Sequence, residues 1–334
     1  MKIGFFELEG WEEKIIRETF VGHEIRFSNT KITENELPAQ NDFDILSVFV
    51  DSRITSAVLT HFPNLKLITT RSTGFDHIDV AACKARGIAV ASVPGYGDNT
   101  VAEFAFGLML TLSRKLYQAI DQIKENESFS QKGLRGFDLK GKTLGVVGTG
   151  RIGKEVIKIA TGFGMKVIAF DPFPNGETAT LLGFTYFSLD ELLGNADIIT
   201  LHCPLSDITK HLINRKNITA IKKGAYLINT ARGGIVETDA LVEALEKGIL
   251  AGAGLDVLEE EGETKDEMRF LSEHALHEEE LKTILQNHIL MRMPNVIITP
   301  HNAFNSQEAL ERILHTTLEN IGGFIAGTPK NIIP

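Results

Sequence analysis

Three short segments concentrate the residues able to hold an anion and move a proton. They are Asn229-Thr-Ala-Arg-Gly-Gly234, Leu255-Asp-Val-Leu-Glu-Glu-Glu261 and Thr299-Pro-His-Asn-Ala-Phe304. Each sits at the end of an apolar run that reads as a strand. An open α/β sheet keeps its ligand crevice at such C-terminal ends. Arg232 offers a rigid fork for a carboxylate. A histidine such as His301 titrates near neutral pH, and a neighbouring carboxylate favours its charged form. Together an arginine, a histidine and a glutamate suit reduction of a 2-oxo acid. A cation holds the carboxylate and polarises the carbonyl, an acid protonates the alkoxide, and a carboxylate keeps that acid protonated. Singly, each has a plainer role. Arg232 would serve a cofactor phosphate or a surface acid, the run Glu259–Glu261 would be a solvated face, and a strand-end histidine would be structural.

A second motif supplies the redox partner. Gly148-Thr-Gly-Arg-Ile-Gly153 fits G-x-G-x-x-G, follows the apolar run Leu144–Val147 and opens an amphipathic segment. Gly148 and Gly150 permit a tight turn and close approach to a pyrophosphate, and Gly153 permits close helix–strand packing. The helix start supplies N–H groups for the phosphates. The next strand, 165–171, ends in Asp171. A carboxylate there accepts bonds from ribose hydroxyls and repels a 2′-phosphate. NAD is therefore expected rather than NADP. The plainer reading is that Asp171 caps a turn.

These segments need elements to position them. The chain has 334 residues, which sets a prior of two domains at about 150 residues each. Strand-like runs at 2–6, 24–27, 44–50, 66–70 and 87–92 alternate with helical ones at 11–20, 56–62 and 78–85. After a turn-rich stretch, 94–99, a long helix is expected from Asn99 or Thr100 to about Gln122. Beyond the fingerprint, strands are expected at 165–171, 197–203, 225–230, 250–257 and 295–300, with helices at 151–162, 188–194, 214–221 and 238–247. The polar stretch 262–292 reads as a solvated insertion. A C-terminal helix from Gln307 to about Ala326 is expected to return to the first domain. The fold class is α/β, with two Rossmann-like doubly wound parallel-sheet domains and a cleft between them. Residues 1–99 plus 301–334 form a discontinuous substrate domain, and 100–300 an NAD-binding domain.

The bulk numbers exclude other classes. Formal charge is 34 − 44 = −10, which disfavours nucleic acid and anionic membranes as partners. Two cysteines, Cys83 and Cys203, make neither a disulfide framework nor a tetrahedral Cys site, so no metal is expected. No apolar run is long enough to span a bilayer, and the N-terminus lacks a signal-peptide core. A cytoplasmic protein is expected.

As a set, GTGRIG, LHCPL (201–205), LINTARGG (227–234), GLDVLEEE (254–261) and ITPHNAF (298–304) resemble the D-2-hydroxyacid dehydrogenase family, in its order and over the whole chain. The resemblance implies catalytic roles for Arg232, Glu261 and His301. The family's acid stands five residues after the aspartate of the LDV strand, which selects Glu261 from its neighbours. It further implies that Arg151 and Ile152 lie at the pyrophosphate. Cys203, Pro204 and Thr209 would line the NAD cleft, and Thr230, Ala231 and Asp256 would lie near the nicotinamide. In the first domain, Arg71-Ser-Thr-Gly74 resembles the family's substrate-carboxylate loop, around Thr73 and Gly74. Tyr96 and Phe304 match the lactate branch and suggest an apolar-walled pocket for pyruvate or a larger 2-oxo acid. Leu258 departs from that branch, which commonly has tyrosine there. A homodimer is implied by relatives. Glyoxylate or hydroxypyruvate reductase is the nearest alternative, and an NAD-sensing corepressor-like binding protein a remote one.

Overall fold

The computed structural model describes residues 1–261 and 278–334. The chain forms two compact units, Met1–Tyr96 with Ser306–Pro334, and Gly97–Asn305. Residues 301–305, His301 among them, thus group with the second unit.

In the first unit, β1 (Lys2–Phe5), β2 (Glu24–Phe27), β3 (Ile45–Val48), β4 (Leu67–Thr70) and β5 (Ala89–Ala91) make a parallel sheet of order 2-1-3-4-5. Strands β3 and β4 are buried throughout, because helices cover both faces of a parallel sheet. One face packs Phe43, Leu46, Val58 and Phe62. The other packs Ile3, Phe5 and Ile16 against Leu314, Leu318 and Ile321 of the C-terminal helix (Gln307–Ile325). The tail beyond it bridges Ile332 to Ala91, covering the edge that β5 would otherwise expose.

The second unit carries β6 (Thr143–Val147), β7 (Lys166–Phe170), β8 (Thr185–Tyr186), β9 (Ile198–Leu201), β10 (Ala225–Asn229), β11 (Leu250–Leu255) and β12 (Val296–Ile298). All pairs are parallel, in the order 12-11-10-9-6-7-8. Strand order reverses between β6 and β9, the switch point where such sheets open a nucleotide crevice. The chain therefore has two parallel-sheet α/β domains.

Three local expectations need correcting, and two elements are new. The long helix breaks into Asp98–Ser113 and Leu116–Lys124, because Lys115 turns left-handed at φ 51° and interrupts the helical ladder. Segment 214–221 yields only a 3₁₀ turn, Ile218–Ala220. The Asn217 side chain accepts from Asn214 N and donates to Leu212 O, and such side-chain bonds compete with a helix. A helix Gly176–Leu182, capped by Asn175, and strand β8 were not anticipated. The described part of the polar stretch is a helix, Glu278–Arg292, that buries Ile284 and Leu290. It is no purely solvated face, and residues 262–277 lie outside the described residues.

Candidate active site

The glycine loop leaves β6 at the switch point. Gly148 takes φ 94°, and a Cβ there would stand 2.8 Å from Cys203 N and His202 O. At Gly153 a Cβ would lie 2.1 Å from Gly148 O, whereas at Gly150 it would meet open space. So two glycines serve packing and the middle one leaves room for close approach. The helix Arg151–Gly162 begins there with no side-chain cap, and its first-turn N–H groups lack intrahelical acceptors. Asp171 Oδ2 accepts from Thr149 N at 2.7 Å and Thr149 Oγ1 at 2.9 Å, and Oδ1 accepts from Phe173 N at 2.9 Å. It therefore orders the loop and caps the turn, and a carboxylate's roughly four lone-pair sites leave one for a ribose hydroxyl.

The other residues expected at the nucleotide lie on later segments of the chain. Cys203 is a half-buried thiol, pushed up to about 11 by burial, which makes it a poor nucleophile. Thr209 closes the turn that begins at Pro204, with Oγ1 accepting from Ser206 N at 2.8 Å. Thr230 Oγ1 is buried with no hydrogen-bond partner among the described residues. His202 sits on the switch-point strand end, its Nε2 2.8 Å from Thr200 Oγ1. Burial lowers it to about 3, so it stays neutral.

Three neighbouring strands end level with one another, Asn229 pairing with Leu255 and Leu255 with Ile298. From these ends come the segments of Arg232, Glu261 and His301. His301 Nδ1 lies 2.7 Å from Glu261 Oε1. Its backbone is left-handed, φ 52°, a conformation that costs a non-glycine residue about 1–3 kcal/mol. Asp256 holds it there. The aspartate is 1% exposed. Its carboxylate accepts from Thr299 Oγ1, from Asn302 N at 2.8 Å and from Ala303 N at 2.8 Å, and its carbonyl accepts from His301 N at 2.8 Å. Burial pushes its carboxyl above the usual range, against these donors and the pull of His301. Phe304 meets the His301 ring edge-to-face at 6.4 Å.

A cavity of about 600 Å³ opens beside this pair. Asp256, Glu261 and His301 line its polar side, and Tyr117, Met291 and Met293 contribute to its apolar wall. Arg232 is not among the lining residues. Its Nη1 donates to Ala231 O at 2.8 Å, and Asn229 Nδ2 fixes its carbonyl at 2.9 Å. Gly233 brings this segment against the next, since a Cβ there would lie 2.0 Å from Leu258 O.

Comparison with known proteins decides the family. The model of the D-isomer specific 2-hydroxyacid dehydrogenase NAD-binding domain matches residues 106–303. The chain belongs to the D-isomer specific 2-hydroxyacid dehydrogenase family. It is an NAD-dependent oxidoreductase. D-lactate dehydrogenase of Escherichia coli is 34% identical over 98% of each chain. An aromatic 2-oxoacid reductase of Clostridium sporogenes is 41% identical over 80% of this chain and 78% of its own. A solved D-lactate dehydrogenase of Aquifex aeolicus, complexed with NAD and lactic acid, is 38% identical with a TM-score of 0.86, covering 98% of this chain and 96% of that one. The glycine geometry and the orphaned Thr230 hydroxyl of this dehydrogenase fit an NAD site.

Within the first unit of the dehydrogenase, Thr73 Oγ1 donates to Val93 O at 2.7 Å, and Gly74 O accepts from Ser72 Oγ at 2.6 Å. Tyr96 O accepts from Arg312 Nε at 2.6 Å. Arg71, 3% exposed, anchors this loop by donating to Glu7 O. Sequence reasoning missed two residues of the second unit. His211 Nε2 lies 2.6 Å from Glu259 Oε1, a second histidine–glutamate pair beside the expected one. The glutamates Glu259 and Glu261, two positions apart, were a signal that two partners had to be found. No motif pointed to His211.

Proposed function

We propose that this dehydrogenase is a D-lactate dehydrogenase, reducing pyruvate or a related 2-oxo acid with NADH. The observation that carries the reading is the 2.7 Å contact of His301 Nδ1 with Glu261 Oε1 beside an open cavity. Nδ1 is taken by Glu261, so Nε2 is the ring nitrogen left to donate to the substrate oxygen. Glu261 holds Nδ1 and fixes the ring plane. Arg232 clamps the substrate carboxylate and draws density from the carbonyl. Backbone N–H groups around Thr73 and Gly74 assist at the carboxylate, with Tyr96 and Phe304 beside the substrate side chain. Gly148, Gly150, Arg151, Ile152 and Gly153 hold the cofactor pyrophosphate and Asp171 the ribose. Cys203, Pro204, Thr209, Thr230, Ala231 and Asp256 border the rest. When bound, NADH supplies the hydride that reduces the carbonyl carbon. D-stereochemistry follows from the family.

The cavity and the aromatic 2-oxoacid reductase at 41% identity favour a second reading, a bulkier 2-oxo acid. A panel of pyruvate, phenylpyruvate, 2-oxoisocaproate, glyoxylate and hydroxypyruvate with NADH decides. Highest kcat/KM on pyruvate supports the first reading, on phenylpyruvate the second, and on glyoxylate or hydroxypyruvate neither. On the same reading the enzyme is a homodimer. The helix Leu116–Lys124 buries no residue and exposes Leu116, Tyr117, Ile120 and Ile123, an apolar face suited to a second copy. Light scattering at the monomer mass would refute this.

A further inference from the structure

We infer that His211 and Glu259 form a positioning pair that keeps the loop after β9 aligned with the turn bearing Glu261. The inference rests on the reading that Glu261 and His301 handle the proton and that Thr209 borders the cofactor. Glu259 is a junction. Its Oε1 takes the contact from His211 Nε2. Its Oε2 accepts from Thr238 Oγ1 at 2.7 Å and Thr238 N at 3.3 Å. Its carbonyl accepts from Asn287 Nδ2 at 2.8 Å. Thr238 begins a nine-residue helix, Thr238–Glu246, so the carboxylate also meets a helix N-terminus, where negative charge is favoured.

His211 is the other junction. It takes a left-handed backbone, φ 50°, and its N–H donates to Gly234 O at 2.8 Å. Its carbonyl accepts from Asn214 Nδ2 at 2.7 Å. Residues persist in that conformation when their surroundings over-determine it. Glu260 shares the conformation at φ 53°, which turns the chain between the Glu259 and Glu261 side chains. Leu258 N donates back to Glu261 Oε2 at 3.4 Å. Gly233 closes the set by packing on the Leu258–Glu259 peptide.

Three segments that carry proposed site residues therefore converge on one histidine–glutamate contact: the loop of Thr209, the segment of Arg232 and the turn of Glu261. A surface glutamate would have no reason to be 14% exposed and bonded on both oxygens. Losing the pair frees the Thr209 loop and the Glu261 turn to shift separately.

The test uses the full-length enzyme. H211A is the first variant, because its side chain is 36% exposed. E259Q, which keeps an acceptor for Thr238, is the second. The expected result is a rise in NADH Kd of about fivefold and a fall in kcat of about tenfold in each, with KM for the 2-oxo acid within about twofold. The double variant H211A/E259Q should be no worse than the worse single one, as for residues acting as a unit. Wild-type kcat and NADH Kd in both folded variants would overturn the proposal, whatever happens to Tm. Additive losses in the double variant would overturn it too. NADH binding is read without turnover. If H301A proves fully active, the proton-handling reading fails while the Kd result still judges the pair.

Discussion

His301 meets Glu261 at 2.7 Å and His211 meets Glu259 at 2.6 Å, yet the surroundings of the two pairs differ. Glu261 and His301 line a cavity of about 600 Å³. Glu259 does not line it, and both of its carboxylate oxygens serve His211 or the Thr238 helix end. Local chemistry is the same, an imidazole beside a carboxylate. On the proposed reading, what separates a proton donor from a brace is whether a face is left for a ligand. The backbone supports this division. Both Asp256 carboxylate oxygens accept from the His301 loop, so that loop is held by groups other than Glu261. No comparable aspartate is recorded for His211 among the described residues.

The comparison breaks most sharply at Gly233, which couples both pairs. A Cβ there would stand 2.0 Å from the Leu258 carbonyl, and backbone cannot yield cheaply. Gly233→Ala should lower kcat by about a hundredfold and Tm by several degrees. Wild-type activity would show that the two turns move independently. Glu261→Gln comes next. It keeps an acceptor but removes the charge, and kcat should fall by roughly ten- to a hundredfold with NADH Kd little changed. A loss confined to Kd would reverse the roles assigned to the two pairs.

Asp171→Ala probes a site remote from both. NADH Kd should rise about tenfold and the preference for NADH over NADPH should narrow, while kcat at saturating NADH stays within about threefold. An unchanged Kd would leave Asp171 as a turn cap only, the role its bonds to Thr149 and Phe173 already fill.

A third histidine gives the smallest effect. His202 is lowered from 6.5 to about 3 by burial, so the folded state binds its proton less readily than the unfolded one. The stability this contributes is present above pH 6.5 and drains away as pH falls toward 3. His202→Asn should therefore lose less Tm than the wild type between pH 7 and pH 5, by about 2 °C. Parallel Tm curves would mean that His202 is solvated.

Much of this was legible in the sequence because its signals are local. The glycine spacing at 148–153 and the acid at 171 mark one strand, turn, helix and strand. The apolar runs ending at Asn229, Leu255 and Ile298 place three polar segments level at one sheet edge. What escaped was set by distant contacts or single backbone angles. The break at Lys115 depends on one left-handed residue in a helix-prone run. The 3₁₀ turn at Ile218 depends on two asparagine side chains. His211 joins Glu259 across 48 positions, and nothing in its neighbours announces the partner. Resemblance singles out Glu261 from the glutamate run, but the contact of Glu259 is visible only once His211 is found beside it.

The most direct test measures H301A and H211A side by side, taking kcat with NADH and pyruvate and NADH Kd by titration. H301A should lose at least a hundredfold in kcat with Kd near wild type, while H211A should lose about tenfold with a weaker Kd. Undiminished turnover in H301A would remove His301 from the mechanism and contradict the division between the two pairs.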